Sequence, residues 1–254
     1  MKLLTLARDL RRRKARERER LFVAEGVRAV GELLDSSLGV RAVLLSSELA
    51  AAARPALEAA IGRRGVVTLE LSERDFATAA DTDSPQGVLA IGEIPDRSLA
   101  TLTLAPTARL LLLDALQDPG NVGTILRTAA ALGADATVAL PGTVDLWNAK
   151  VVRSAMGALF HHPAFSSTWA DLATFLHGEH FELWGADGAG EPPRALRDRP
   201  ARIALAVGNE GSGLSAESRA RATRLVGLPI APRVESLNVA VATGILLYEL
   251  RLPP

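Results

Sequence analysis

Apolar positions along the chain change their spacing about a third of the way through, and that change divides the sequence. Before it the elements are short. Val27, Val30, Leu33 and Leu34 sit at helical spacing, residues 40–45 form a β-rich run, residues 49–61 an alanine-rich helix and residues 66–71 a second strand. Ser72 stands where it caps a helix over 73–80, with Asp75 three residues on, and a third strand follows at 87–91. This series predicts a small α/β unit. Residues 92–107 then carry Pro95 and Pro106 among Ser, Thr and Asp without a sustained period, which marks a linker.

Beyond it, residues 109–114 read as a continuous apolar run, followed by a turn at Asp118-Pro119-Gly120, a helix over 122–132 stopped at Gly133, and a strand over 136–140 stopped by Pro141-Gly142. Further strands are expected at 181–186 and 203–207, with helices at 148–160, 170–176, 214–224 and 238–251. Buried continuous strands alternating with helices predict a parallel sheet covered on both faces. The fold class is α/β, with domains at 1–94 and 108–254 joined by a linker at 95–107.

Composition narrows the chemistry. The 254 residues include no Cys, which excludes a disulfide framework, a thiolate zinc site and a cysteine nucleophile, and which suits a reducing compartment. No uncharged apolar run approaches the roughly 18 residues of a membrane helix, and the apolar stretch within residues 1–9 is too short for a signal peptide. A cytoplasmic protein without membrane contact is expected. The charges cancel, 29 Lys+Arg against 29 Asp+Glu, but residues 1–20 hold nine basic and three acidic groups, so +6 there is offset by −6 elsewhere. Such a segment is either a nucleic-acid-binding arm or a solvated helix face.

Three segments carry polar residues that packing alone does not explain. Asp118-Pro-Gly-Asn-Val-Gly-Thr-Ile-Leu-Arg127 follows a buried strand; Asn121 is placed to cap the helix, Gly123 admits close backbone approach, and Arg127 lies one turn further along the same face. Val207-Gly-Asn-Glu-Gly-Ser-Gly-Leu214 is a glycine-rich turn able to present N–H groups to a ligand, or simply a connection, with Glu210 as a carboxylate in its middle. Its G-x-x-G-x-G order is neither the dinucleotide fingerprint nor a phosphate loop, which argues against a nucleotide-dependent oxidoreductase. Residues 228–238 contain Pro229 and Pro232 in an extended loop with free carbonyls, then Ser236 and Asn238 at a helix start, where capping accounts for one of them. Open α/β sheets bind ligands where such loops gather, beyond the strands' carboxyl ends.

Taken together, Asn121-x-Gly123-x-x-x-Arg127, Gly208-Asn-Glu-Gly-Ser-Gly213 and Leu228-Pro with Ser236-Leu-Asn238-Val resemble the three motifs of the SpoU (TrmH-like) RNA ribose 2′-O-methyltransferases of the SPOUT superfamily, over about residues 109–251. Phe22-Val-Ala-Glu-Gly-Val-Arg28 and Asp83-Ser-Pro-Gln-Gly-Val88 are similar to the small RNA-binding domain that precedes the catalytic domain in many of these enzymes. The resemblance implies a deep C-terminal trefoil knot, S-adenosylmethionine as methyl donor, a homodimer with its active site completed across the interface, and RNA as substrate, ribosomal more than transfer RNA. It places the cofactor at Gly208, Leu228 and Leu237, with Val207, Ile230 and Ser236 beside them. Arg127 becomes the main catalytic residue, with Glu210, Asn238 and Asn121 orienting it, the loops or the substrate. A guanidinium is protonated at any working pH, so its role is to stabilise an alkoxide and grip a phosphate rather than to act as a base. The alternatives are a transfer-RNA enzyme of the same class and a catalytically silent RNA-binding paralogue. Ala240 departs from the hydroxyl residue frequent in relatives.

Other candidates point to structure. His161-His162 lacks companions at ligand spacing, so no metal site is expected there. Asp81 and Asp83 belong to a turn, and Trp147 reads as a core or dimer-interface residue. Lys150 and Arg153 are candidate phosphate contacts.

Overall fold

The computed structural model describes residues 2–251; Met1 and residues 252–254, at the outer ends of the two expected domains, lie outside the described residues. In chain order the first elements are α1 (Lys2–Asp9), α2 (Arg13–Glu19), β1 (Leu21–Glu25), α3 (Val27–Asp35), β2 (Val40–Ser46), α4 (Arg54–Arg64), β3 (Thr68–Leu71), α5 (Glu73–Ala77) and β4 (Val88–Glu93). There follow β5 (Ala108–Asp114), α6 (Pro119–Leu132), β6 (Ala136–Ala139), α7 (Ala149–Ser154), α8 (Ala158–His161), β7 (Ala164–Ser166) and α9 (Trp169–Gly178). The last are β8 (Glu182–Glu191), β9 (Arg202–Gly208), α10 (Ala216–Arg221), β10 (Arg224–Val226) and α11 (Val239–Arg251). Two compact units emerge, Met1–Asp96 with Trp147–His161, and Arg97–Leu146 with His162–Pro254.

The first unit is built on a four-stranded sheet ordered β1-β4-β2-β3, in which β4 runs antiparallel to both neighbours and β2 parallel to β3. Side chains alternate across it. Leu21 and Val23 join Leu44, Phe76, Leu89 and Ile91 on one face, together with Leu4, Ala7 and Leu10 of the N-terminal segment. Phe22 points the other way, against Trp147 at 4.5 Å and Phe160 at 5.7 Å between ring centroids. Trp147 is therefore a core residue. The N-terminal basic segment is folded rather than a free arm: Arg16, 4% exposed, donates through Nη1 to the carbonyls of Leu10 and Arg11 at 2.7 and 2.9 Å, while Arg11, Arg13, Lys14 and Arg18 remain on the solvated face.

Some elements differ from expectation for local reasons. The alanine-rich helix begins at Arg54, where Pro55 occupies its first turn, and not at residue 49. Strand β1 is buried along its whole length, so no alternation announced it. The helix expected over 148–160 is two short ones, broken where Met156 and Gly157 take φ of 53° and 92°.

The second unit carries a wholly parallel six-stranded sheet, ordered β10-β8-β9-β5-β6-β7. Strands β6 and β7 extend from β5 in one direction and β9, β8 and β10 in the other, so the chain reverses its lateral course beside β5. Asp114 and Gly208, the last residues of β5 and β9, are register partners. The loops leaving these two strands thus start side by side at the crevice where doubly wound sheets take ligands. Leu110, Leu112, Val138, Phe165, Leu172 and Leu183 form part of the core on one face. Strand β10 replaces the end of the helix expected over 214–224, because Ala222 leaves the helix in an extended conformation and Thr223 donates its N–H to Leu183.

His162 closes a buried contact in this unit, its Nε2 lying 2.8 Å from Thr137 Oγ1. Burial first, and then the charge of Arg97, hold its pKa down at about 4 instead of 6.5. An unfolded His162 takes up its proton near pH 6.5 and the folded one only near 4, so its contribution is intact above pH 6.5 and is lost as pH falls to 4. The loss is on the order of 3 kcal/mol. A pH series of thermal melts should show the wild type losing Tm over this window more steeply than His162→Gln; parallel curves would refute the assignment.

Candidate active site

Helix α6 starts earlier than its apolar pattern indicates. Pro119 supplies the first turn and Asp118 is the N-cap, its Oδ1 accepting the Asn121 N–H at 2.7 Å. Asn121 is therefore not the cap, which corrects the sequence expectation. Its side chain is freed for a different task. Asn121 Nδ2 donates to Glu210 Oε1 at 3.0 Å, and Asn121 Oδ1 accepts from Asn238 Nδ2 at 3.0 Å. Asn238 caps α11 at the same time, its Oδ1 accepting from the N–H groups of Ala240 and Val241 at 2.9 and 3.3 Å. Capping and bridging are one arrangement, because an amide has both an acceptor and two donors.

This Glu210–Asn121–Asn238 chain joins the loops after β5, β9 and β10. The third of these reaches the other two across the ends of β8 and β9, since β10 lies at the sheet's edge. Arg127 stands on α6, exposed, with no hydrogen bond or ion pair to any described residue. It shares an exposed stripe with Thr124 and Ala131, and Asn121 lies at the stripe's N-terminal end. Gly123 is buried. Glu210 pairs with Asn121 and makes no bond to Arg127.

The glycine-rich turn does not present its N–H groups as expected. Asn209 Oδ1 accepts from Gly211 N at 3.0 Å and Ser212 N at 3.1 Å, and the Asn209 and Gly213 backbones exchange two bonds of 2.9 Å. The turn is closed on itself by one side chain. Asn209 Nδ2 also donates to the Ala115 carbonyl at 3.0 Å, and buried Asp114 accepts from Ser215 N at 2.7 Å and from the Ser218 hydroxyl. Asn209 and Asp114 thus lash the turn to the end of β5. Neither was singled out from the sequence; an Asn flanked by Gly-rich backbone is the signal that could have found the first. Gly208 is required for packing, because a Cβ there would lie 2.2 Å from Gly213 C.

The cofactor positions expected by resemblance divide between this turn and the third loop. Val207 is buried at the end of β9. Leu228 and Ile230 are half-buried, and neither makes a hydrogen bond to any described residue, so their backbone groups are open to a ligand. Ser236 is exposed and equally unpartnered. A cavity of about 150 Å³ is walled by Leu228, Pro229, Leu237, Ile245 and Pro193. Apolar walls, with Arg194 and Glu249 also in the lining, beside free backbone donors and acceptors suit the adenosyl part of a ligand. Among the described residues no group of three His, Cys, Asp or Glu is placed to hold a metal ion, and no helix is long and apolar enough to cross a membrane.

Fold and site together define an α/β protein whose parallel sheet gathers two amides and a carboxylate at a reversal point of its strands, with an exposed guanidinium further along α6. Residues 108–248 match the SpoU rRNA Methylase family and residues 5–90 the MRM3-like substrate binding domain. The chain is 35% identical over 244 residues, 96% of its own length and 94% of the relative's, to the 23S rRNA (guanosine(2553)-2'-O)-methyltransferase RlmP of Bacillus subtilis. The AdoMet-bound rRNA methyltransferase from Sinorhizobium meliloti superposes with a TM-score of 0.86 at 30% identity, covering 98% of this chain and 94% of that one. The SpoU methyltransferase AviRb from Streptomyces viridochromogenes, in complex with AdoMet, gives 0.86 at 27% identity, covering 98% and 96%. The protein belongs to the SpoU rRNA methylase family.

Proposed function

We propose that the protein transfers the methyl group of S-adenosylmethionine to a ribose 2′-hydroxyl of ribosomal RNA in the cytoplasm. The observation that carries this is the Glu210–Asn121–Asn238 chain, which draws three distant loops together at the start of α6, the helix that carries the unpartnered Arg127. Residues 1–94 serve as the RNA-binding domain, 95–107 as linker and 108–254 as the methyltransferase domain, an assignment supported by the family matches at 5–90 and 108–248.

When bound, the donor would supply an electrophilic methyl group already activated on a sulfonium, whose S–C bond breaks as the new O–C bond forms, leaving a neutral thioether. Leu228, Ile230 and Gly208 hold it through backbone groups, and Leu237 and Val207 through apolar contact, with Ser236 at the edge. Arg127 binds the phosphate next to the target ribose and stabilises charge on O2′ as the O–C bond forms; the hydroxyl proton leaves to water. Asn121, Asn238 and Glu210 keep the start of α6 in register with the other two loops.

The last third of the chain is threaded as a deep trefoil knot. The resemblance to the SPOUT enzymes implies this threading; the close approaches of Gly227 to Asp187 and of Gly190 to Val226 are those of the paired strands β8 and β10. The protein is a homodimer, paired through the outer face of α11, where Val241 and Tyr248 are each 51% exposed and stand seven residues apart with Ile245 between them. Val241 and Tyr248 do not wall the cofactor cavity. Val241→Glu with Tyr248→Glu should therefore yield a monomer by sedimentation that retains donor binding but transfers methyl at least about tenfold more slowly; an unchanged dimer would refute the interface. The reaction itself is tested by incubating the protein with labelled S-adenosylmethionine and total RNA and mapping the product. Label on a ribose of ribosomal RNA supports the reading, and label on a base or on transfer RNA alone overturns it.

A further inference from the structure

The first unit contains a cavity of its own, about 330 Å³, between the β1–α3 turn, residues 81–87 and the α7–α8 turn. Pockets for small organic ligands begin at about this size. Its floor is Glu25, 6% exposed, whose carboxylate is fully engaged by the Asp81 N–H at 2.8 Å, the Thr82 N–H at 3.4 Å and the Thr82 hydroxyl. Its lining is chemically divided. Arg28 is exposed and makes no hydrogen bond or ion pair with any described residue. Arg153 lies 3.4 Å from Asp81, which also has Arg11 at 4.0 Å, so two guanidinium groups share one acid. Gln86 Oε1 accepts from Val27 N at 2.9 Å, which leaves its amide nitrogen with two undirected donors, and the Ser84 hydroxyl has no partner among the described residues. Ala29 and Met156 supply the apolar wall.

We propose that this cavity takes up one unpaired nucleotide of the RNA substrate, with its phosphate held by Arg28 and Arg153 and its base edge read by Ser84 and Gln86. Each part of the lining has its counterpart in such a ligand. Guanidinium forks at the mouth match phosphate oxygens, which stay outside. The amide donors and the hydroxyl meet a base edge inside, and a polarizable thioether lies against the ring. Only an unstacked base can enter a cavity of this size, and proteins read RNA sequence mostly from such splayed bases. The inference rests on the reading of the protein as an RNA enzyme, and its tests separate the two.

Arg28→Ala should raise the Kd for ribosomal RNA, by filter binding with the full chain, and the KM for transfer about tenfold, while S-adenosylmethionine affinity is unaltered. Arg41→Ala removes an exposed charge that does not line the cavity and should change Kd by less than about twofold. Photocrosslinking of 4-thiouridine-labelled ribosomal RNA should place adducts within 81–87 or 153–156. Equal effects of the two substitutions, or adducts confined to other segments, overturn the proposal. So does saturation by a free nucleoside monophosphate that ribosomal RNA fails to displace. Filter binding and crosslinking need no turnover, so an absence of methyl transfer would sink the enzymatic reading and leave the cavity's occupancy still measured.

Discussion

Arg127→Ala is expected to lower kcat by about 10³-fold or more while leaving S-adenosylmethionine affinity within about twofold, because it removes transition-state charge stabilisation. The expectation follows from where the residue stands. Arg127 is exposed on α6, has no partner among the described residues, and contributes nothing to the walls of the cavity beside Leu228 and Leu237. Its removal costs the fold little. Arg127→Lys should recover only part of the rate, since an ammonium keeps the charge but lacks the planar fork that grips phosphate and O2′ together. Calorimetry with the donor and single-turnover transfer with RNA separate the two effects. Full activity in the alanine variant would refute the role, and equal loss of donor binding would convert Arg127 into a cofactor residue.

Gly208→Ala is expected to weaken donor binding by about 100-fold or more, with transfer lost in consequence. The added Cβ would lie 2.2 Å from Gly213 C and 2.3 Å from Leu214 N, both backbone atoms. That backbone cannot move freely. The Asn209–Gly213 pair of bonds, Asn209 Oδ1 and the Asp114–Ser215 contact hold it from three sides. Relief of the clash must reshape the turn, and a turn held in one geometry is what a preorganised site depends on. Retained donor affinity in this variant would show that the turn does not form part of the cofactor site. Far-ultraviolet dichroism should stay close to wild type, because the turn is outside every regular element except the end of β9.

Continuous apolar runs and their glycine and proline stops made most of the second unit legible: β5, β6 and β9 arise where residues 109–114, 136–140 and 203–207 place them, and Gly133 ends α6 with φ of 78°. The short elements β1, β7 and β10 escaped because runs of three to five residues are too short to carry a period. The segment Trp147–His161 belongs in space to the first unit, through rings on Phe22 more than a hundred residues earlier. For that reason a deletion of residues 1–94 would strip Trp147 and Phe160 of their cover, and single substitutions are the sounder probe of the RNA-binding domain.

At the site, the sequence by itself determined the chemical inventory: which polar groups lie in the three loops, that the first two follow apolar strands, and, through motif resemblance, what reaction they serve. Only the tertiary structure decided how those groups are shared. Asp118 rather than Asn121 caps α6, the N–H groups of the glycine-rich turn are turned inward onto Asn209, and Asn238 caps and bridges together. A residue type states how many hydrogen bonds it can make. Which partners it meets depends on strands being brought side by side, as Asp114 and Gly208 are across β5 and β9, and such long-range register leaves no trace in local pattern.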